Sequence, residues 1–146
     1  MYYHRPAKLT QWMNRTFSWL AGFGLTPSDT VTVEVKGRKS GETRANVVTS
    51  VAVDGVTYLV SPRGNSEWVR NVRAAGGEAT IRHRGRKRAR LVEVPAEQRA
   101  PIIKAYLAKT WRATQQHIEV DRKAPVEDFA RIADRHPVFR IESGGK

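Results

Sequence analysis

Two short segments of the chain combine small, cationic and hydroxyl residues in a way that suits an anionic ligand. The first is Gly37-Arg38-Lys39-Ser40-Gly41, which separates two stretches of strand-like sequence. Paired glycines allow a tight turn that brings backbone N–H groups close to an anion, while Arg38 and Lys39 supply charge and Ser40 a hydroxyl. The glycine–lysine spacing of a P-loop and its following helix are both missing. The segment is therefore either an anion-binding loop or an ordinary solvated hairpin loop.

The second segment runs from Ser61 to Trp68 and lies where a strand passes into a helix. A helix N-terminus offers free N–H groups and the positive end of the helix dipole to a phosphate or a carboxylate. Arg63 could add a bidentate contact, and Trp68 an aromatic wall for a flat ring. The alternative is a helix capped by Asn65 or Ser66 whose tryptophan belongs to the core.

A third cationic run, from Arg82 to Arg90, holds six arginines and lysines in nine residues on a predicted hairpin. Nucleic-acid binding would need stacking aromatic residues or a known binding module, and this run has neither. We therefore expect no specific nucleic-acid partner. The expected role is a solvated hairpin or a guide for the acidic tail of a ligand.

The sequence offers no residue set for hydrolysis or metal binding. The histidines are scattered without the paired spacing of metal ligands, so no metal is expected; they are His4, His83, His117 and His136. The chain has no cysteine, and no serine–histidine–acid arrangement or pair of inward carboxylates can be picked out. No catalytic residue is nominated. If the protein is an enzyme, a cofactor carries the difficult chemistry.

Charge is concentrated in the middle of the chain. The 146 residues include 26 lysines and arginines and 14 acids, a net charge of +12, and residues 36–90 account for +9 of it. Such a surface attracts nucleic acid, an anionic membrane or a phosphorylated small molecule. There is no apolar run long enough to span a bilayer and no signal-peptide pattern, which favours a cytoplasmic location. The length predicts one domain over residues 1–146.

The elements that must position these segments follow from the hydrophobic periodicity. An apolar stripe predicts a helix within residues 1–25, which either covers the mouth of a barrel or rests on an anionic membrane. Alternating residues predict strands across 28–95, with a hairpin at Asp54-Gly55. Helices are predicted within 96–135, with helical spacing at 95–109 and 125–134. A closing strand is predicted at 137–142. Consecutive hairpins without crossover helices favour an α+β domain built around a small barrel.

Four motifs, in this order along the chain, resemble those of the deazaflavin-dependent nitroreductase family. They are Gly37-Arg38-Lys39-Ser40-Gly41, Asp54-Gly55, Ser61-Pro62-Arg63-Gly64-Asn65 leading to Trp68-Val69-Arg70-Asn71, and His136-Pro137-Val138-Phe139-Arg140-Ile141. The resemblance implies a split β-barrel of about six mostly antiparallel strands, related to flavin-binding reductases. It also implies transfer of hydride from the reduced deazaflavin coenzyme F420 to a small-molecule acceptor such as a quinone, an enone or a nitroaromatic compound.

The resemblance assigns coenzyme contacts to particular residues. Those of the first motif, Arg38, Lys39, Ser40 and Gly41, would contact the phosphate and polyglutamate side of F420. Those of the third motif, Ser61, Arg63, Gly64 and Asn65, would hold the phosphate or the ring edge. Trp68 and Asn71 would support the wall beside the phosphate or the ring edge.

The chain departs from the nitroreductase pattern at three points. Arg63 stands where a lysine is common, the loop from Arg63 to Trp68 is short, and the tyrosine-rich substrate side is represented only by Tyr106. Two alternatives therefore stay open: an FMN-binding enzyme of the same barrel class, and a basic module without enzymatic activity that binds an anionic cofactor or nucleic acid. The sequence does not determine the oligomeric state.

Overall fold

The structure is a computed structural model that describes residues 30–83 and 85–143. Within these ranges the chain forms six strands and three α-helices. The strands are β1 (Thr30–Lys36), β2 (Thr43–Val53), β3 (Val56–Val60), β4 (Glu78–Arg82), β5 (Arg86–Glu93) and β6 (Val138–Ser143). The helices are α1 (Glu67–Ala74), α2 (Ala100–Thr114) and α3 (Val126–Ile132), with 3-10 turns at Ala96–Gln98, Gln115–His117 and Ala133–Arg135. The predicted helix at 1–25 lies outside the described residues.

The six strands close into an antiparallel barrel in the order β1-β2-β3-β6-β5-β4. Pairing of β1 with β4, with Val33 opposite Ile81, closes the ring. The last strand, β6, lies between β3 and β5, with Phe139 opposite Leu59. The prediction of an α+β split barrel is confirmed, and all six pairings are antiparallel.

Alternation along the strands determines which side chains fill the barrel. Val31, Val33 and Val35 are at most 4% exposed, whereas Thr32 and Glu34 between them face outward and are only partly covered. Helix α1 contributes its apolar face to the same interior cluster, which also includes Leu59, Trp68, Ile81, Phe139 and Ile141. Burial of branched aliphatic side chains at this density is the main source of stability.

A second core lies between the outer wall of the barrel and helices α2 and α3. Tyr106 and Leu107 of α2 and Phe129 of α3 pack there with Val51 and Tyr58 of the barrel. All five residues of β3 are buried because this strand is covered on both faces.

Two predicted helix boundaries are wrong, for local reasons. The helix predicted at 95–109 runs from Ala100 to Thr114, since residues 96–98 form a 3-10 turn and Pro101 occupies the first helical turn. The helix predicted at 125–134 ends at Ile132 and continues as a 3-10 turn. Ser66 takes the N-cap position of α1 but makes no side-chain capping bond. The predicted turn at Asp54-Gly55 is confirmed, with φ of 54° and 80°.

Candidate functional site

Three cavities, each sharing lining residues with its neighbour, are together called the groove. The cationic cavity, of about 450 Å³, is lined by Arg38, Lys39, Ser40, Arg44, Asn46 and Glu67, among others. The central cavity, also of about 450 Å³, is lined chiefly by Val47, Val48, Ser61, Trp68 and Tyr106. The histidine cavity, of about 520 Å³, is lined by Arg63, Gly64, His117, Glu119, Arg135 and His136 with Pro62. Asn46 and Glu67 belong to both of the first two cavities, and Pro62 and Arg63 to both of the last two.

Asn71 of α1 holds the Gly37–Gly41 loop in place. Its buried Oδ1 accepts hydrogen bonds from the Arg38 backbone N–H at 3.1 Å and from Arg38 Nη1 at 2.8 Å. The same Nη1 donates to Glu67 Oε1 at 2.9 Å. Gly41, with φ of +80°, closes the loop by donating its N–H to the Gly37 carbonyl. The loop is therefore fixed against the helix before any ligand binds.

Glu67 is the one acidic side chain among the residues that line the cationic cavity. The hydrogen bond and the charge of Arg38 lower the pKa of this carboxyl, so Glu67 is ionised at neutral pH. The carboxylate is 68% exposed and lies where the cationic and central cavities meet. No carboxylate in the described ranges pairs with Lys39 or Arg44, whose charges remain available to a ligand.

Ser61 and Gly64 form a tight turn at the base of the central cavity. The Ser61 hydroxyl, 1% exposed, donates to the Gly64 carbonyl at 2.6 Å. Gly64 has φ of +80°, and a Cβ there would lie 3.2 Å from the Arg135 carbonyl oxygen. A larger residue would push the two loops apart.

The central cavity is lined by apolar and aromatic side chains together with polar ones. Trp68 packs against Phe139 inside the barrel, with ring centroids 5.7 Å apart, and also lines the cavity. The interpretation of Trp68 as a core residue is confirmed, and its role as a wall for a flat ring stays a prediction. Val47 is 72% exposed, and Tyr106 is almost fully buried. Burial raises the pKa of the Tyr106 hydroxyl.

The histidine cavity lies between three loops. His136 places Nδ1 3.3 Å from the Ser61 carbonyl, and the Ser61 N–H donates to the Pro137 carbonyl at 2.9 Å. Burial lowers the pKa of His136 more than the carbonyls of Ser61 and Pro62 raise it. On the opposite wall His117 and Glu119 face the cavity, and Glu119 forms an ion pair with Arg135.

Most of the predicted coenzyme residues line this groove, and two do not. Gly41 shapes its loop without lining a cavity, and Asn65 accepts a hydrogen bond from Arg73 outside the groove. Sequence reasoning missed Arg44 and Asn46. A signal for them existed in the alternation of β2. Arg44 and Asn46 lie on the same face of the strand as the inward-facing Val48, so their polar side chains mark where the interior of the barrel ends.

The described residues contain no group of histidines and acids that could hold a metal ion. Among the described helices none is long and apolar enough to cross a membrane. What the groove does offer is cations in one cavity and mixed polar and apolar side chains in the other two. Its charge suits an anionic ligand.

The model of the F420H(2)-dependent quinone reductase family matches residues 7–128. The chain belongs to this family and is an oxidoreductase that depends on coenzyme F420. No curated protein is significantly similar to it in sequence.

Solved structures with the same fold have low sequence identity to the chain. A protein of unknown function from Agrobacterium tumefaciens is 14% identical with a TM-score of 0.55; the alignment covers 96% of this chain but only 55% of that one. An F420-H2 dependent reductase is 20% identical with a TM-score of 0.50, over 81% of this chain and 97% of that one. A FAD-binding protein from Mesorhizobium loti is 13% identical with a TM-score of 0.50, over 88% and 87%.

Proposed function

We propose that this oxidoreductase reduces a quinone, or a related enone or nitroaromatic compound, with hydride from reduced F420. The observation that carries the proposal is that three cavities adjoin through shared lining residues, since an anionic arm, a planar ring and an acceptor need three adjoining environments. When bound, F420 supplies the hydride. The protein binds and orients the two reactants and excludes water.

The cationic cavity suits the phosphate and polyglutamate arm of the coenzyme. Arg38, Lys39 and Arg44 bring three positive charges to its wall, and Glu67 offsets one of them. Guanidinium groups bind phosphate and carboxylate in a bidentate manner, which favours arginine in such a site. We assign the coenzyme arm to this cavity.

The central cavity suits the planar ring. Trp68 and Tyr106 are held rigidly by the two cores, and Val47 and Val48 form the strand wall. Side chains already fixed by packing position a ring without a large loss of side-chain entropy on binding. Arg63, shared with the histidine cavity, would contact the edge of the ring or the phosphate.

Titration of the purified protein with oxidised F420, followed by fluorescence, tests the assignment, with FMN titrated in parallel. We expect micromolar binding of F420 and much weaker binding of FMN. Quinones, enones and nitroaromatic compounds are then screened with reduced F420. Preference for FMN, or binding of neither coenzyme, would overturn the proposal. Binding of F420 without turnover of any acceptor would overturn its acceptor part.

A further inference from the structure

Reduction of a quinone by hydride also requires a proton. The hydride brings two electrons and one hydrogen, which converts the quinone to the hydroquinone monoanion, and one proton on oxygen completes the hydroquinone. A positioned general acid accelerates such a transfer by about 10²- to 10⁴-fold. The candidate proton donors are the side chains that line the groove.

Most polar groups of the groove are unsuited to the role. The guanidinium groups of Arg63 and Arg135 do not give up a proton at neutral pH. The Ser61 hydroxyl already donates to the Gly64 carbonyl. Tyr106 is 3% exposed, and its burial works against ionisation of the hydroxyl.

Two other acid–base groups of the histidine cavity are also engaged. Glu119 is paired with Arg135. His136 is 5% exposed and faces the carbonyl of Ser61, so burial keeps it neutral and its ring holds two loops together. His117 differs from both: it is half-buried, it lines the cavity, and none of the described residues hydrogen-bonds its ring. Imidazole is the side chain that exchanges protons most readily near neutral pH.

The loop that carries His117 is preorganised by Gln115. The Gln115 side-chain amide donates to the carbonyls of Ile118 at 3.1 Å and Val120 at 2.8 Å. Its oxygen accepts the Arg122 N–H at 3.0 Å. Ile118 and Val120 are buried, while His117 and Glu119, which alternate with them, line the cavity. A rigid loop is what a catalytic group needs to hold its geometry.

We propose that the histidine cavity receives the electron acceptor and that a ring nitrogen of His117 donates the proton to the acceptor oxygen. This inference rests on the proposed function. The acceptor gains the hydride and this proton, and neutral His117 is reprotonated from solvent. Four further charged or titratable groups face the same cavity: Arg63, Arg135, Glu119 and His136. The first two are permanent cations, which help to stabilise a developing oxyanion.

The kinetic test replaces His117 with alanine and uses 2-methyl-1,4-naphthoquinone as the acceptor. We expect His117→Ala to lower kcat/KM by about 100-fold, with unchanged affinity for F420. Added imidazole should restore part of the rate of the variant. Gln116→Ala, in the same turn and outside all three cavities, is the matched control. A rate of His117→Ala like that of the control, or a reduced rate that imidazole does not raise, would overturn the inference.

A second readout needs no turnover. Imidazole resonances of the coenzyme-free protein are followed by NMR as the naphthoquinone is added. We expect the His117 signals to shift on binding, and His117→Ala to bind the quinone several-fold more weakly at an unchanged melting temperature. Absence of a shift would place the acceptor elsewhere. Failure of the proposed function would be seen separately, as loss of F420 binding in the wild-type protein.

Discussion

At the scale of single residues, Glu67 and Arg38 control the charge of the groove. Arg38 divides its guanidinium between Asn71 and Glu67, and its side chain is 21% exposed. An anionic ligand must therefore compete with Glu67 for Arg38, and it also meets the repulsion of the carboxylate. An acid in this place limits the affinity for a polyanion and makes release easier.

Replacing Glu67 with glutamine should tighten F420 binding by about three- to tenfold at low salt, because it removes a like charge beside the anionic ligand. The side chain keeps its size, while Arg38 becomes available to the ligand. Fluorescence titration at low salt measures the change. Glu78→Gln on β4, which removes an equal charge outside the groove, is the control. Equal affinity of the Glu67 variant and the wild type would place the coenzyme arm elsewhere.

Arg63→Ala should weaken F420 binding far more than it weakens the fold. The Arg63 side chain is exposed between two cavities and packs into neither core, so its loss leaves no void. The dissociation constant and the melting temperature are measured together, with Arg70→Ala on α1 as the control. An unchanged dissociation constant would remove Arg63 from the coenzyme site.

At the scale of elements, short backbone contacts determine where glycine is required. Gly76 and Gly77 end α1 with φ of 67° and 88°. A Cβ at Gly77 would lie 2.5 Å from the Leu91 carbonyl oxygen, whereas one at Gly76 would meet nothing within 4 Å. The two neighbours thus share a left-handed conformation but differ in their surroundings.

Gly77→Ala should lower the free energy of unfolding by about 3 kcal/mol or more, and Gly76→Ala by about 1 kcal/mol. Both substitutions place a side chain at positive φ, but only the first also forces β5 away from the end of α1. Chemical denaturation of the two variants measures the difference. Equal losses would show that strand and helix adjust without strain.

The strands could be predicted from the sequence because alternation reports burial directly. Val31, Val33 and Val35 face one way, and turn chemistry at Asp54-Gly55 fixes the next pairing. The ends of the helices were harder to predict from the sequence, since a 3-10 turn and an α-helical turn use the same residue types. The cationic half of the site could be predicted from its glycines, arginines and lysine. The histidine cavity could not, because closure of the barrel and packing of the loops bring His117 and His136 together from separate segments.

At the scale of the molecule, buried titratable groups couple folding to pH. His136 joins the β3–α1 loop to the start of β6, and its pKa is lowered by burial. Elsewhere Glu93 accepts hydrogen bonds from Arg73 and from the buried Arg99, and Arg73 lowers the pKa of Glu93. Both groups bind protons more readily in the unfolded chain than in the folded one.

The free energy of unfolding should therefore fall as the pH drops below about 6.5, the ordinary pKa of histidine, and again below about 4.5 for Glu93. One proton gives a slope no steeper than about 1.4 kcal/mol per pH unit. Urea denaturation between pH 8 and 4 measures both windows. His136→Gln should flatten the pH dependence of the free energy of unfolding in the first window and leave that in the second window unchanged. A wild-type stability that is constant from pH 7 to 5.5 would contradict the linkage at His136.

The place of β6 in the barrel has a consequence for how the protein is made. Its neighbours β3 and β5 are complete well before residues 138–143 leave the ribosome, yet each lacks a partner along one edge until β6 arrives. Exposed strand edges of this kind pair with other chains. Barrel closure must therefore await synthesis of residues 138–143, and nascent chains stalled before residue 138 are the species that chaperones would have to shield from aggregation.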